Sequence, residues 1–188
     1  MIECKTSDNC EGELVRYLLI LVLAIFLHAC GPQGSEIPRA SLSGADIWKS
    51  VDNGGLLHRI SGVEFPEEVT TFERGKIIEY KSDGSDVSVG YFPINRKENS
   101  EITIYISRYP SLKMEDYLQS SINDIHQRWK QFKIIYQGEY KPEDKEEFFG
   151  PLVVFEGELL NKVLRTGLWM TQKGDWFVMA RFTYVANG

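Results

Sequence analysis

The sequence predicts an α+β domain, an antiparallel β-sheet packed against one long α-helix, and three observations carry that expectation. From Arg59 onward, short runs alternate apolar and polar residues and are separated by turn signals, the pattern of half-buried strands. One longer stretch, Met114 to Phe132, changes to apolar steps of three and four, the period of a helix with a single buried stripe. The order is several strands, one helix and several strands again, which favours an antiparallel sheet over repeated βαβ units.

The elements follow in chain order. Asp46 to Val51 reads as a short helix, ended by the turn chemistry of Asn53-Gly54-Gly55. Val69 to Tyr80 reads as an extended arm, bent at Gly75, and Lys81-Ser82-Asp83-Gly84-Ser85 carries the Asp-Gly hairpin signal. Asp86 to Phe92 then alternates with Val87, Val89 and Tyr91 on one face, and Glu101 to Ser107 repeats the pattern with Ile102, Ile104 and Ile106. In the helix, Met114, Tyr117, Leu118, Ser121, Ile122, Ile125, Trp129 and Phe132 form the stripe. Four further strands are expected, at Ile134 to Tyr140, Leu152 to Leu160, Arg165 to Thr171 and Asp175 to Tyr184, the last two joined by a tight turn at Gln172-Lys173-Gly174.

The final strand is apolar on both sides. Trp176, Val178, Ala180, Phe182 and Tyr184 make one face, suited to a core under the helix; Phe177, Met179, Arg181 and Thr183 make the other, too apolar to face water alone. The short helix near Trp48 is one candidate cover. A reading frame cut short after Gly188 is the other explanation.

The 188 residues suit one ordinary domain with an appendage, and 43% hydrophobic with 26% charged residues is a globular balance. Twenty-one basic against 27 acidic residues give a net charge of -6 with no Lys/Arg block, so no nucleic-acid partner is expected. All three cysteines, Cys4, Cys10 and Cys30, precede Gly31. The rest of the chain can form no internal disulfide and must be held by packing.

The appendage is N-terminal. Tyr17 to Leu27 is an unbroken apolar run, preceded by Arg16 and followed by His28-Ala29-Cys30-Gly31, the anatomy of a secretory signal. Even from Tyr17 to Cys30 it makes only about 21 Å of helix against a hydrocarbon core near 30 Å. Ahead of it, Lys5 and Arg16 are outnumbered by Glu3, Asp8, Glu11 and Glu13, and acid there opposes insertion. A start at Leu14 or Val15 gives an ordinary signal peptide; a cytoplasmic extension is the alternative. The tetrad Leu27-His28-Ala29-Cys30 resembles the lipobox of bacterial lipoproteins, with His28 in place of the usual small or β-branched residue. That resemblance implies that Cys30 is diacylated and becomes the mature N-terminus. It implies a membrane partner held through N-terminal lipid, and an address in the cell envelope facing the periplasm or the surface. Gly31 in place of Asp implies the outer membrane where the source has two. A buried helix with a chance cysteine is the competing reading, but Gly31-Pro32-Gln33-Gly34-Ser35 looks like a tether. The expected division is a signal peptide over residues 1–30, a flexible tether over 31–44 and a single α+β domain over 45–188.

A second resemblance rests on Phe65-Pro66-Glu67-Glu68-Val69, Phe72-Glu73-Arg74, Tyr80, Val87-Ser88-Val89-Gly90-Tyr91, Ile102-Thr103-Ile104-Tyr105-Ile106 and the block from Gly174 to Tyr184. These runs are similar to a family of uncharacterised bacterial envelope proteins and, more distantly, to the Mog1/PsbP-like fold. The latter implies a sheet sandwiched by helices and a binding or assembly role, with no functional residue to carry over.

Catalytic patterns are largely missing. The segment after Cys30 has two histidines, His58 and His126, and no Gly-x-Ser-x-Gly elbow, Walker-type loop or His-Glu-x-x-His. No catalytic residue, metal site or cofactor is therefore assigned. Asp83 and Asp86 are explained by turn chemistry, and Glu143-Asp144-Lys145-Glu146-Glu147 by a solvated loop. The candidate binding residues are Arg74 and Arg181, cations set in strands among aromatics, together with Phe177 and Trp169. The expected function is a non-catalytic, lipid-anchored envelope domain binding a protein or small molecule. The rival is an envelope enzyme working through carboxylates such as Glu156 and Glu158.

Overall fold

The computed structural model describes residues 47–95, 100–140 and 149–186. The signal-peptide, Cys30 and tether expectations, the acidic 143–147 stretch and the end of the chain at Gly188 lie outside these residues. The expected α+β class is corrected: 59% of the described residues are in strands and 15% are helical, so the domain is mostly β. Three short strands, β1 (Trp48–Ser50), β2 (Leu56–His58) and β3 (Val63–Phe65), form one antiparallel sheet in the order β1-β2-β3. The large sheet contains β4 (Glu68–Val69), β5 (Phe72–Glu79), β6 (Asp86–Pro93), β7 (Ser100–Arg108), β8 (Lys133–Tyr140), β9 (Gly150–Leu159), β10 (Lys162–Lys173) and β11 (Trp176–Val185). Its order is β4-β5-β6-β7-β11-β10-β9-β8, every pair antiparallel. One helix, α1 (Met114–Arg128), leads from the centre of that sheet to its far edge.

The turns follow local chemistry. Between β5 and β6, Gly84 takes a left-handed φ of 71° and the Ser85 N–H donates to Asp83 Oδ1 at 2.9 Å, the Asx device expected of Asp-Gly. Between β10 and β11, Gly174 at φ 59° supplies the positive first position of a II′ turn. The β5–β6 register shifts between Arg74 and Ile77, so the bend falls around Gly75.

The helix covers a different face of β11 from the expected one. Ile122 and Ile125 of α1 pack in one buried cluster with Phe177 and Met179 of β11, Phe155 of β9, and Leu168 and Met170 of β10. Trp176, Val178, Ala180, Phe182 and Tyr184 lie on the opposite face, where the small sheet covers them through Val63, Phe65 and Trp48. The segment expected as a short helix is strand β1, because Trp48 to Ser50 pair with His58 to Leu56. Paired in that way, its indole reaches the sheet beside Phe65, 5.9 Å between ring centroids. The result is three layers: small sheet, large sheet, helix. This also departs from the helix-sandwiched sheet that the Mog1/PsbP-like resemblance implies, since one of the two covers is β.

Both cores are dense with aromatic rings. Gly167 of β10 leaves room for the Phe182 ring of β11, which any Cβ there would strike. Each large apolar side chain so buried contributes about 1.5–3 kcal/mol, which replaces the missing disulfides.

Candidate functional site

Where α1 leaves the large sheet uncovered, a groove of about 610 Å³ runs between the helix and strands β6, β7, β10 and β11, with Tyr80 just past the end of β5 at its rim. Its floor is set by strand register. Arg181 of β11 stands opposite Thr103 of β7, and Met179 stands opposite Tyr105. Arg181 and Tyr105 are thus diagonal neighbours on one face, close enough for long side chains to meet. Ser88 of β6 pairs with Tyr105 in turn, and Tyr80 stacks on Tyr105 with centroids 6.4 Å apart and planes 18° from parallel. The helix supplies Tyr117, Ser121, Asp124 and Arg128, spaced by three and four so that they share one side of α1.

Two networks shape the electrostatics. At one end, Asp86 accepts from Ser107 Oγ at 2.8 Å and from the Tyr109 hydroxyl at 2.6 Å. Burial pushes the Tyr109 phenol up, and the Asp86 carboxylate that it donates to adds to the rise. At the other end lies Arg181, its guanidinium over the Trp129 ring at 5.4 Å. Burial pulls its pKa down; the Arg128 charge pulls the same way, while Tyr105 opposes them. Guanidinium groups nevertheless keep their proton in proteins. Burial also raises Tyr105 and Tyr117, so these two phenols are neutral donors at ordinary pH.

The four residues singled out by sequence do not form one site. Arg181 lines the groove. Phe177 is fully buried beneath the helix, edge-on to Tyr117 at 5.3 Å, and supports the groove without facing it. Trp169 is 1% exposed and belongs to the core on the other face. Its Nε1 lacks a hydrogen-bond partner. Arg74 donates to the backbone carbonyls of Phe65 at 2.6 Å and Gly54 at 2.9 Å, joining the small sheet to the large one. Of the carboxylates named for catalysis, Glu156 accepts from Arg165 Nε at 3.0 Å and from its terminal nitrogen at 2.9 Å. Among the described residues, no three His, Cys, Asp or Glu side chains cluster to hold a metal, and no helix is long and apolar enough to cross a membrane.

Sequence reasoning missed Tyr80, Tyr105, Tyr117 and Arg128. The signal was present in part: Tyr105 lies on the face of its strand opposite Ile104 and Ile106, and positions 117, 121, 124 and 128 repeat at helical spacing. Comparison with protein-family models and with curated proteins gives no match.

Proposed function

We propose that the chain is a lipid-anchored protein of the bacterial cell envelope whose folded domain is a non-catalytic binding module, with the groove between α1 and the large sheet as its ligand site. One observation carries the binding reading. The groove combines aromatic walls with a cation, Arg181, that is fixed by stacking on Trp129 at 5.4 Å and lines the groove. Concave, partly apolar surfaces with a few fixed polar groups are where small ligands bind. The anchor rests on the lipobox-like Leu27-His28-Ala29-Cys30 alone. Two acyl chains on Cys30 give stable membrane attachment where one would be marginal.

Two measurements test this. Mass spectrometry of the mature N-terminus is expected to find a diacylated Cys30, and Cys30→Ser is expected to abolish that product; an unmodified N-terminus elsewhere overturns the anchor. For the groove, thermal melting of the full chain in detergent is followed with and without a small-molecule extract of bacterial envelopes. Ligand binding to the native state raises the melting temperature by mass action. Wild type is expected to shift and Ser121→Trp, which fills the groove, is not. Equal shifts in both would place the ligand elsewhere.

A further inference from the structure

Resting on the groove as the binding site, we propose that its ligand is anionic: a carboxylate or phosphate group received by Arg181 and Arg128, on a planar or cyclic body that lies along Tyr80 and Tyr105. Several independent features converge on this. Arg181 sits over the Trp129 ring and is hydrogen-bonded to Tyr105, and a guanidinium with five N–H donors has others to offer a ligand. Arg128, on the last turn of α1, lines the same groove and is near enough for the two like charges to act on each other. Among the described residues neither makes an ion pair with a carboxylate, whereas Arg165 pairs with Glu156 and Arg108 with Asp175. Two cations left together beside a groove are mutually unfavourable, and an anion between them relieves that repulsion while gaining charge-assisted hydrogen bonds.

The nearby acids do not fill that role. Glu101 of β7 acts on Arg181 but does not line the groove and forms no ion pair with it among the described residues. Asp86 is engaged by Ser107 and Tyr109. Asp124 lines the groove one turn before Arg128 without forming an ion pair with it, and it remains open to accept hydroxyl or amine donors from the ligand. Nor is the cation pair a by-product of composition, because the chain as a whole carries a net charge of -6. Tyr80 is 51% exposed and stacks on Tyr105, so an aromatic wall extends from the cation end toward solvent. Such surfaces take rings and sugar faces, which supply contact area at little conformational cost.

The test uses the full chain in detergent, with the indole N–H resonance of Trp129 as reporter and three probes of similar shape: 4-hydroxybenzoate, phenyl phosphate and neutral 4-hydroxybenzamide. The better anion is expected to move the Trp129 signal and to bind at least about tenfold more tightly than the amide, the scale of one charge-assisted hydrogen bond. Which anion wins identifies carboxylate or phosphate as the natural group. Arg181→Met and Arg128→Gln are each expected to bring the anion down to the affinity of the amide. Arg128 is exposed, so Arg128→Gln carries the test even where Arg181→Met fails to fold. Equal binding of amide and anions, with Trp129 shifting, overturns the anionic ligand and leaves the groove as a binding site. No shift with any probe at millimolar concentration also overturns it, and the Ser121→Trp comparison then decides separately whether the groove binds anything.

Discussion

The indole of Trp48 lies against the imidazole of His58, ring centroids 4.8 Å apart, and Trp176 closes the far side edge-on at 5.9 Å. His58 is fully buried. Its Nδ1 meets Ser61 Oγ at 2.7 Å, and its Nε2 has no partner of good geometry. The ring therefore sits, unprotonated, where the small sheet docks on the large one, and Trp48 is held from outside by donating to Glu79 Oε1 at 2.7 Å.

This burial makes the docking of the small sheet sensitive to acid. Desolvation lowers the His58 pKa from 6.5 to about 4, with the Gly84 backbone opposing slightly. As pH falls, the unfolded chain takes up the proton first. The stabilisation is complete above pH 6.5 and is lost progressively between 6.5 and about 4, amounting to about 3 kcal/mol at the acid end. Urea unfolding at stepped pH is expected to show this loss in wild type and a flatter curve in His58→Gln, whose amide does not titrate. Parallel curves for the two would mean that His58 is solvated in the native protein.

Arg74 is expected to matter for stability and not for ligand. Its two bonds to Phe65 and Gly54 carbonyls are charge-assisted, and losing them costs about 2–4 kcal/mol. Arg74→Met should show that loss in denaturant midpoint, Arg74→Lys only part of it, because an ammonium cannot reproduce the planar fork. Probe binding in the groove, on the other face of the sheet, should be unchanged in both. Weakened binding at equal stability would restore Arg74 as a ligand residue.

The elements that were legible are those with a clean period. Val87, Val89 and Tyr91, then Ile102, Ile104 and Ile106, alternate without interruption and are all buried on one face. The helix stripe was equally plain, because steps of three and four admit no strand. What failed was the pairing of faces. Both sides of β11 are apolar, so its own sequence contains nothing to decide which side meets α1, and strands as short as β1 have no period to read. The groove failed for a similar reason. Tyr80, Tyr105, Arg128 and Arg181 come from four separate parts of the chain, and only the β6–β7 and β7–β11 registers and the path of α1 bring them together. Arg181 alone was found, because a cation within an apolar strand is conspicuous by itself.

The β9–β10 hairpin contains a correctable strain. Leu160 and Asn161 both take left-handed φ values, 53° and 60°, as a type I′ turn demands, and Leu160 is 87% exposed. An L-residue with a branched hydrocarbon side chain costs roughly 1–2 kcal/mol in that region, where Asn is tolerated. Leu160→Asn should therefore stabilise the domain by about 1 kcal/mol, seen as a raised urea midpoint with an unchanged slope. A lowered midpoint would show that Leu160 packs against something in solution.

The helix face offers the most direct check of the three-layer arrangement. Ile122 is 5% exposed and Ile125 is 1% exposed, both packed against the Phe177 and Met179 side of β11, whereas Leu118 is only partly buried at the margin of that cluster. Truncating Ile122 to Ala removes buried methyl groups and leaves a cavity, an expected loss of about 2–5 kcal/mol. Leu118→Ala should cost less, because part of its surface is already in water, and Gln127→Ala, at an exposed position on the rim of the groove, should stay within about 0.5 kcal/mol of wild type. A double-mutant cycle then asks which face of β11 the helix touches. Ile122→Ala combined with Met179→Ala should be non-additive, since the two side chains share one cluster, while Ile122→Ala combined with Val178→Ala, whose side chain lies on the opposite face of the sheet, should add. Coupling to Val178 with none to Met179 would put the helix on the other face of the sheet, and the groove described above would not exist.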